Sequence, residues 1–147
     1  MITSHETALA QHCIRHAVSS GASAARVSLN KTVTDSYTIL NGELDKVSHS
    51  ADRSIYIYIF ADGRYGTFST NRLEEKELED FIVKAIEMVR MLGEDSCRRL
   101  PDPERTAKDA ITGRELGLFD EKYYNMEADK RLSNALKLSK YDTVKKT

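Results

Sequence analysis

Two histidines at helical spacing are the first residues that could do chemistry. His12 and His16 are four residues apart, so on a helix both imidazoles would lie on one face and could bind one metal ion. A zinc site needs about three or four ligands, and Cys13 points about 100° away around the helix. His5 lies seven residues before His12 and could share its face, but at the start of the helix. Because the sequence supplies too few ligands on one face for such a site, we interpret the pair as a polar flank beside the Leu9–Cys13 stripe.

Three aromatic residues could form a second kind of site. Tyr56, Tyr58 and Phe60 recur at two-residue spacing, which places them on one face of a strand. Such a row could stack nucleic-acid bases, but stacking platforms normally have basic surroundings. The formal net charge is -1, so we interpret the row as core beneath a layer of helices.

A third candidate is a cysteine followed by two cations. Arg98 and Arg99 could favour the thiolate of Cys97, but the sequence nearby offers no evident general base. Cys13 and Cys97 form no CxxC pair, which predicts two free thiols. We therefore predict that Cys97 is an ordinary cysteine. With all three candidates interpreted in this way, we predict no catalytic, cofactor-binding or metal-binding residue in this chain.

The composition is that of a globular domain. The chain has 147 residues, 40% of them hydrophobic and 31% charged, which suits one domain with a single core. No apolar run approaches the roughly 20 residues that span a bilayer, and Met1–Gln11 lacks the features of a secretory signal. The lack of such a signal predicts a cytoplasmic location. The nearly balanced charge predicts no nucleic-acid partner and no membrane partner.

The first element is predicted to be a helix over about Glu6–Ser19. Ser4 could cap it, and Gly21 would close it, because glycine accepts the left-handed conformation common just past a helix end. An apolar stripe at three- and four-residue spacing supports this helix. The stripe comprises Leu9, Ala10, Cys13, Ile14 and Ala17.

Five short strands are predicted next, from the alternation of apolar residues and the turns between them. They are Ala25–Leu29, Tyr37–Leu40, Glu43–Ser50, Ser54–Phe60 and Arg64–Thr70. The segment Ser54–Phe60 is apolar on both faces, which predicts a central strand covered on both sides.

Two dipeptides predict hairpin turns between these strands. Asn41-Gly42 and Asp62-Gly63 suit a type I′ turn, which needs positive φ at both central residues. Leu44 and Val47 are three residues apart and break strict alternation, which indicates a bulge or an exposed edge in Glu43–Ser50.

A long helix is predicted over about Leu73–Leu92, with Asn71 and Glu74 as a capping arrangement and Gly93 at its end. Acidic residues in its first turns suit the helix dipole. Its apolar stripe comprises Leu78, Phe81, Ile82, Ala85, Ile86 and Val89.

The remainder is predicted to be an irregular connector and a last helix. Pro101 and Pro103 oppose helix formation within Ser96–Leu118, and the last helix spans about Asn125–Lys140. A basic tail includes Lys137, Lys140, Lys145 and Lys146. The order α-β-β-β-β-β-α-α predicts an α+β fold, with an antiparallel or mixed sheet of about five short strands and helices mainly on one face.

Several short motifs occur in a distinctive order. They are Gly21-Ala22-Ser23-Ala24, Asn41-Gly42-Glu43-Leu44, Ser50-Ala51-Asp52-Arg53, Asp62-Gly63-Arg64-Tyr65-Gly66, Phe68-Ser69-Thr70-Asn71 and Leu100-Pro101-Asp102-Pro103-Glu104. Over about Ala8–Glu104 their joint order resembles the amino-terminal domain of TldD/PmbA proteins. Ser54 departs from the resemblance, since the family has a glycine after the Asp-Arg pair. The resemblance implies a domain over residues 1–104, with residues 105–147 as a connector and terminal helix leading toward a carboxy-terminal domain.

The resemblance also implies a chemistry that these residues do not carry. Proteins of this family look like zinc-dependent peptidases acting on small or unfolded peptides, and they are also described as modulators of DNA gyrase. They assemble as homo-dimers or as hetero-dimers of related chains. The family's His-Glu-x-x-x-His zinc motif lies in the carboxy-terminal domain. His5-Glu6 is the only His-Glu pair here, and no histidine follows at the required spacing, so no catalytic residue is carried over and zinc is expected elsewhere.

The resulting prediction is a non-catalytic amino-terminal domain of a TldD/PmbA-like zinc metallopeptidase, which should be inactive alone. It would shape the peptide cleft or the dimer, and our hypothesis is that a peptide or a partner strand adds to an unpaired edge at Glu43–Ser50. The alternative is a stand-alone protein-interaction module without enzymatic activity.

Overall fold

The computed structural model describes residues 2–106 and 116–138, which form four helices, three strands and one 3-10 turn. In chain order the regular elements are α1 (Ser4–Ser19), β1 (Ala24–Leu40), β2 (Glu43–Ala61), β3 (Arg64–Thr70), α2 (Glu75–Arg90), the 3-10 turn Pro103–Arg105, α3 (Glu121–Tyr124) and α4 (Ala128–Leu138). The strands form one sheet in the order β1-β2-β3. No helix in these ranges is long and apolar enough to cross a membrane.

The chain divides into two compact units. Unit 1 comprises Met1–Thr32 and Ala51–Asp102, and unit 2 comprises Val33–Ser50 and Pro103–Thr147. The two long strands, β1 and β2, contribute residues to both units.

The α+β class is confirmed, but the prediction of five short strands in the order α-β-β-β-β-β-α-α is wrong. The two segments predicted before Asn41 are parts of β1, and the two predicted after Gly42 are parts of β2. The polar stretches lack the alternation of apolar and polar side chains, but this does not interrupt a strand, because backbone hydrogen bonds hold neighbouring strands together. β-branched Thr32, Val33 and Thr34 favour extended backbone through the middle of β1.

Both predicted hairpin turns are confirmed. Asn41 and Gly42 have φ of 52° and 83°, and Asp62 and Gly63 have φ of 51° and 69°. These left-handed conformations are the ones that a type I′ turn requires, so the two dipeptides set the chain reversals on either side of β2.

The core of unit 1 lies between the sheet and helices α1 and α2. Ile55, Ile57 and Ile59 of β2 are fully buried. The helical residues buried in the same cluster are Leu9, Cys13 and Ala17 of α1, and Leu78, Ile82, Ala85, Ile86 and Val89 of α2. The predicted stripe of α2, and Leu9, Cys13 and Ala17 of the predicted α1 stripe, therefore pack on the isoleucine face. Ala10 and Ile14 of the α1 stripe are only half-buried and lie outside this cluster.

The opposite face of β2 is not covered as predicted. Tyr56, Tyr58 and Phe60 are only half-buried, so the interpretation of this row as core beneath helices is wrong. Aromatic rings satisfy β-propensity on a partly solvated face as well as in a core, and the sequence pattern does not distinguish the two.

Helix α1 begins with a capping box one residue earlier than predicted. Thr3, not Ser4, is the N-cap: its hydroxyl accepts from the Glu6 amide, and its own amide donates to Glu6 Oε2 at 2.8 Å. Glu6 is buried, and its Oε1 lies 3.4 Å from Lys31 Nζ and 3.6 Å from an Arg53 guanidinium nitrogen. The hydrogen bonds from Thr3, with the Lys31 charge, lower the pKa of Glu6 to about 2 against the opposing effect of burial.

This capping box predicts a pH-dependent stability. Because the pKa of Glu6 falls from 4.5 to about 2 on folding, its contribution is fully present above about 4.5 and is lost as the pH falls toward 2. Glu6→Gln should therefore lower the urea unfolding midpoint near neutral pH, with the difference shrinking over that window. Glu87→Gln, at an exposed position of α2, is the control. A Glu6→Gln penalty that stays constant with pH would contradict the argument.

Helix α2 begins later than predicted. Glu74 is its N-cap, and no side-chain cap hydrogen bond is found there among the described residues, so the predicted cap at Asn71 is wrong. The Arg72 amide instead donates to the Thr70 hydroxyl at 3.1 Å. The turn after β3 is thus closed by Thr70, and the helix starts only after Leu73.

Unit 2 contains the tip hairpin, which we define as Val33–Ser50, together with α3 and α4. Asp120 caps α3 by accepting from the amides of Lys122 and Tyr123. The predicted last helix, Asn125–Lys140, is seen as α4 from Ala128, and its predicted end at Lys140 lies outside the described residues.

In the part of the predicted connector that the structure describes, one short regular segment occurs, the 3-10 turn Pro103–Arg105. Residues 107–115 of the connector lie outside the described ranges, as do Lys140, Lys145 and Lys146 of the predicted basic tail. Lys137 is exposed on α4.

Candidate functional site

The two histidines of α1 lie beside an acidic residue of α2. His12 Nε2 is 2.9 Å from Glu79 Oε1, and His16 Nδ1 is 4.0 Å from the same oxygen. Glu75, one turn before Glu79, places Oε1 3.6 Å from His12 Nε2. In the described part of the chain, His12, His16 and Glu79 form the one group of this kind whose potential ligand atoms all lie within 4.8 Å of one another. We call these three residues the His-His-Glu cluster.

The helices hold this cluster in place through the core beside it. Leu9, Cys13 and Ala17 bury the adjacent face of α1, so His12 and His16 project from its flank at a spacing of one turn. Their rings stack at 6.1 Å between centroids with an interplanar angle of 20°. His16 Nε2 lies 3.4 Å from the Ser20 hydroxyl oxygen, which leaves Nδ1 on the side of Glu79.

Glu79 is the residue that the sequence reasoning missed. It is 67 positions from His12, and no local spacing links the two. The available signal was that Glu75 and Glu79 are one turn apart beside the apolar stripe of α2. The stripes of α1 and α2 pack in one core. The acidic residues beside the α2 stripe could therefore have been expected to contact the histidines beside the α1 stripe.

An open cavity of about 250 Å³ adjoins the cluster. It is lined by His5, Ala8, Leu9, His12, Arg15 and Glu75. Solvent therefore reaches His12 and Glu75 from this side, and His5, at the start of α1, borders the same space.

The two cysteines differ in burial. Both are free, as predicted, with Cys13 buried and Cys97 exposed. Burial, helped by the charges of Glu75 and Glu79, raises the pKa of Cys13 to about 11. The Arg98 guanidinium donates to Asp95 at 3.3 Å.

The aromatic face of the sheet is bordered by cations. The Arg26 guanidinium lies 5.0 Å from the Tyr58 ring centroid, and Arg98 lies 5.0 Å from that of Tyr65. Phe60 and Tyr65 are cross-strand partners with centroids 4.9 Å apart. These contacts are typical of a half-exposed sheet face stabilised by cation–π pairs.

Unit 2 contains a cleft of about 670 Å³ that is open to solvent. Its lining comprises Val33, Asp35, His49, Leu118, Phe119, Asp120, Tyr123, Tyr124 and Arg131. His49 Nδ1 lies 2.6 Å from Asp35 Oδ1, and the Arg131 guanidinium donates to the other Asp35 oxygen. The His49 hydrogen bond and the Arg131 charge lower the pKa of Asp35.

The tip hairpin carries a strand segment with one unpaired side. All seven residues of β3 pair with Ile55–Ala61 of β2, so in the described sheet the segment Glu43–Ser50 has β1 as its neighbour and no third strand. Every residue of this segment is exposed. Backbone amides and carbonyls on its second side are therefore available to another extended chain.

The geometry defines an α+β domain whose three-stranded antiparallel sheet carries two helices on one face. Residues 25–89 match the family model described as PmbA/TldA metallopeptidase domain 1. A solved structure of the same family resembles this chain over 99% of its length. The two findings show that the chain belongs to the TldD/PmbA family and corresponds to the first domain of its members.

Two solved structures resemble the chain. A protein described as a candidate modulator of DNA gyrase, from Bacteroides thetaiotaomicron VPI-5482, is 32% identical with a TM-score of 0.87, over 99% of this chain and 32% of that protein. TldE from Thermococcus kodakarensis is 16% identical with a TM-score of 0.59, over 76% of this chain and 25% of that protein, which is a likeness of fold alone. No curated protein matches the sequence. The chain thus spans about a third of the Bacteroides protein.

Proposed function

We propose that this chain is a non-catalytic, peptide-binding domain of a longer zinc peptidase-like protein of the TldD/PmbA family. The observation that carries the proposal is the exposed segment Glu43–Ser50, which has no strand on its second side in the described sheet. An extended peptide that adds to such an edge gains main-chain hydrogen bonds that depend little on its sequence. That suits an enzyme acting on small or unfolded peptides.

The cleft of unit 2 supports a second part of the proposal. Its wall combines aromatic rings with the hydrogen-bonded group Asp35, His49 and Arg131. Arg131 also lies 5.3 Å from the Tyr123 ring centroid and donates to the Met126 carbonyl at 3.0 Å. An apolar wall with a few fixed polar groups suits a peptide side chain, so the cleft would add selectivity to the edge contacts.

Zinc and the peptide-cleaving residues belong, in this proposal, to the part of the longer protein beyond this chain. Dimerisation, as a homo-dimer or with a related chain, could use the same edge, because a partner strand satisfies the same backbone groups as a peptide.

The test is a pair of proline substitutions at neighbouring positions, Lys46→Pro and Val47→Pro, in the full-length protein. Successive amides point to opposite sides of a strand, so one variant removes a donor shared with β1 and the other a donor on the unpaired side. The unpaired-side variant should fold normally but lose most binding of a fluorescently labelled random-sequence peptide pool, measured by anisotropy.

Alanine variants at the same positions keep the amide and serve as matched controls. Lys46→Ala and Val47→Ala should bind the pool like the unaltered protein, and sedimentation velocity should show whether the dimer is affected. Unchanged peptide binding in both correctly folded proline variants would contradict the peptide-binding proposal. Loss of dimer with unchanged peptide binding would favour the interaction-module alternative.

A further inference from the structure

We propose that the His-His-Glu cluster is a binding site for a divalent transition-metal ion such as Zn²⁺, which would clamp α1 to α2. The inference concerns the helices of unit 1 and does not depend on the peptide-binding role proposed for unit 2. The sequence offered two ligands on α1, and packing of α2 supplies the third.

The distances suit a single ion. A tetrahedral zinc ion with ligands at 2.0–2.1 Å keeps its ligand atoms about 3.4 Å apart. The ligand atoms of His12, His16 and Glu79 all lie within 4.8 Å of one another, so closure needs movements of about 1 Å. The three side chains are 29%, 24% and 35% exposed, and half-exposed side chains can make such adjustments without disturbing the core.

The identity of the donors selects the kind of ion. Two imidazole nitrogens and one carboxylate suit zinc and its first-row neighbours, whereas Mg²⁺ and Ca²⁺ prefer oxygen ligands. The contact between His16 Nε2 and the Ser20 hydroxyl, 3.4 Å, would orient the ring with Nδ1 toward the ion, as outer-shell partners do in metal sites.

The fourth ligand position lies on the solvent side. Glu75 Oε1 is 3.6 Å from His12 Nε2, close enough to swing onto an ion held there. The Glu75 side chain is 67% exposed and borders the adjoining cavity of about 250 Å³, so water could take this position instead. An ion in such a site would exchange with solvent.

A plain histidine–carboxylate ion pair is the competing explanation of the cluster. The pair centres on His12 and Glu79, which are 2.9 Å apart, with His16 Nδ1 at 4.0 Å from the same Glu79 oxygen, and it does not depend on His16. A metal site needs all three residues, so removal of His16 separates the two explanations.

The test is zinc titration of the tag-free 147-residue chain by isothermal calorimetry, repeated with Co²⁺ to observe visible absorption bands of imidazole-ligated cobalt. We expect one ion per chain, with affinity reduced at least about tenfold in His12→Gln, His16→Gln and Glu79→Gln, because loss of even an outer-shell partner costs about 10–100-fold. Zinc should raise the Tm of the unaltered chain, since it binds the folded state, and at the same zinc concentration should raise the Tm of the three variants by a smaller amount.

Two variants control for general loss of charge or of histidine. Glu87→Gln changes an exposed carboxylate two turns after Glu79 on α2, and His49→Gln changes a histidine of unit 2. Both should bind zinc like the unaltered chain, and circular dichroism should show all five variants folded. Absence of zinc binding, unchanged affinity in folded His16→Gln, or displacement of zinc by equimolar Mg²⁺ would each overturn the proposal.

Discussion

Replacing Ile82 with alanine should lower the free energy of unfolding by about 2–5 kcal/mol, the usual cost of deleting a large side chain from a packed core. Ile82 is fully buried in the middle of α2, within the cluster that includes Ile57 of β2 and Cys13 of α1. The loss has two parts. The hydrophobic transfer free energy of the removed groups is lost, and the surrounding atoms cannot fully close the cavity left behind. Ile82 is thus part of the contact between α2 and the sheet.

Val83 provides a matched control on the next residue of the same helix. Its side chain is 40% exposed, so Val83→Ala removes methyl groups that are partly hydrated in the folded state. We expect a change within about 0.5 kcal/mol, as for ordinary surface positions. The chain lacks tryptophan, so urea unfolding is best followed by far-UV circular dichroism. Equal losses in the two variants would contradict the assignment of Ile82 to the core.

The helices were predictable because their patterns are local. The stripes of α1 and α2 repeat at the helical period, and the residues buried against the sheet are members of those stripes. The two hairpin turns were predictable for a different reason. Asn41-Gly42 and Asp62-Gly63 adopt a conformation that few other dipeptides tolerate.

The strand count was not predictable from alternation alone. Long strands that leave a buried region lose their apolar face while keeping their backbone ladder, and β2 does this between Ile55 and Glu43. Burial falls from complete at Ile55 to none along Glu43–Ser50, so each half of the strand has its own sequence pattern.

The cap of α1 and the third residue of the cluster were missed for different reasons. Thr3 and Ser4 are both good cap residues, but only Thr3 has a glutamate three residues later, which is the capping-box spacing seen in the structure. His12 and His16, by contrast, suggest two ligands in the sequence and acquire Glu79 only when α2 packs against α1. The family was found without any of these residues, from the order of turns and short motifs.

Replacing Gly66 with alanine should destabilise the chain by about 1–3 kcal/mol, the cost of forcing an extra group into a packed core. Gly66 is buried in β3 opposite Ile59. A Cβ there would lie 2.8 Å from Phe68 Cε2 and 2.8 Å from Val89 Cγ2, which is far inside contact distance. Glycine at this position therefore lets α2 approach the sheet.

Gly93→Ala provides a control for this prediction, and Val89→Ala provides a test of the clash itself. A Cβ at Gly93 would meet no atom of the described residues within 4 Å, so Gly93→Ala should change the urea midpoint little. In a Val89→Ala background, Gly66→Ala should cost less, because one of the two clashing groups is gone. The two substitutions should then show a coupling energy of about 0.5–3 kcal/mol in a double-mutant cycle. Additive effects, or a Gly66→Ala variant as stable as Gly93→Ala, would mean that α2 does not pack against β3 at this glycine.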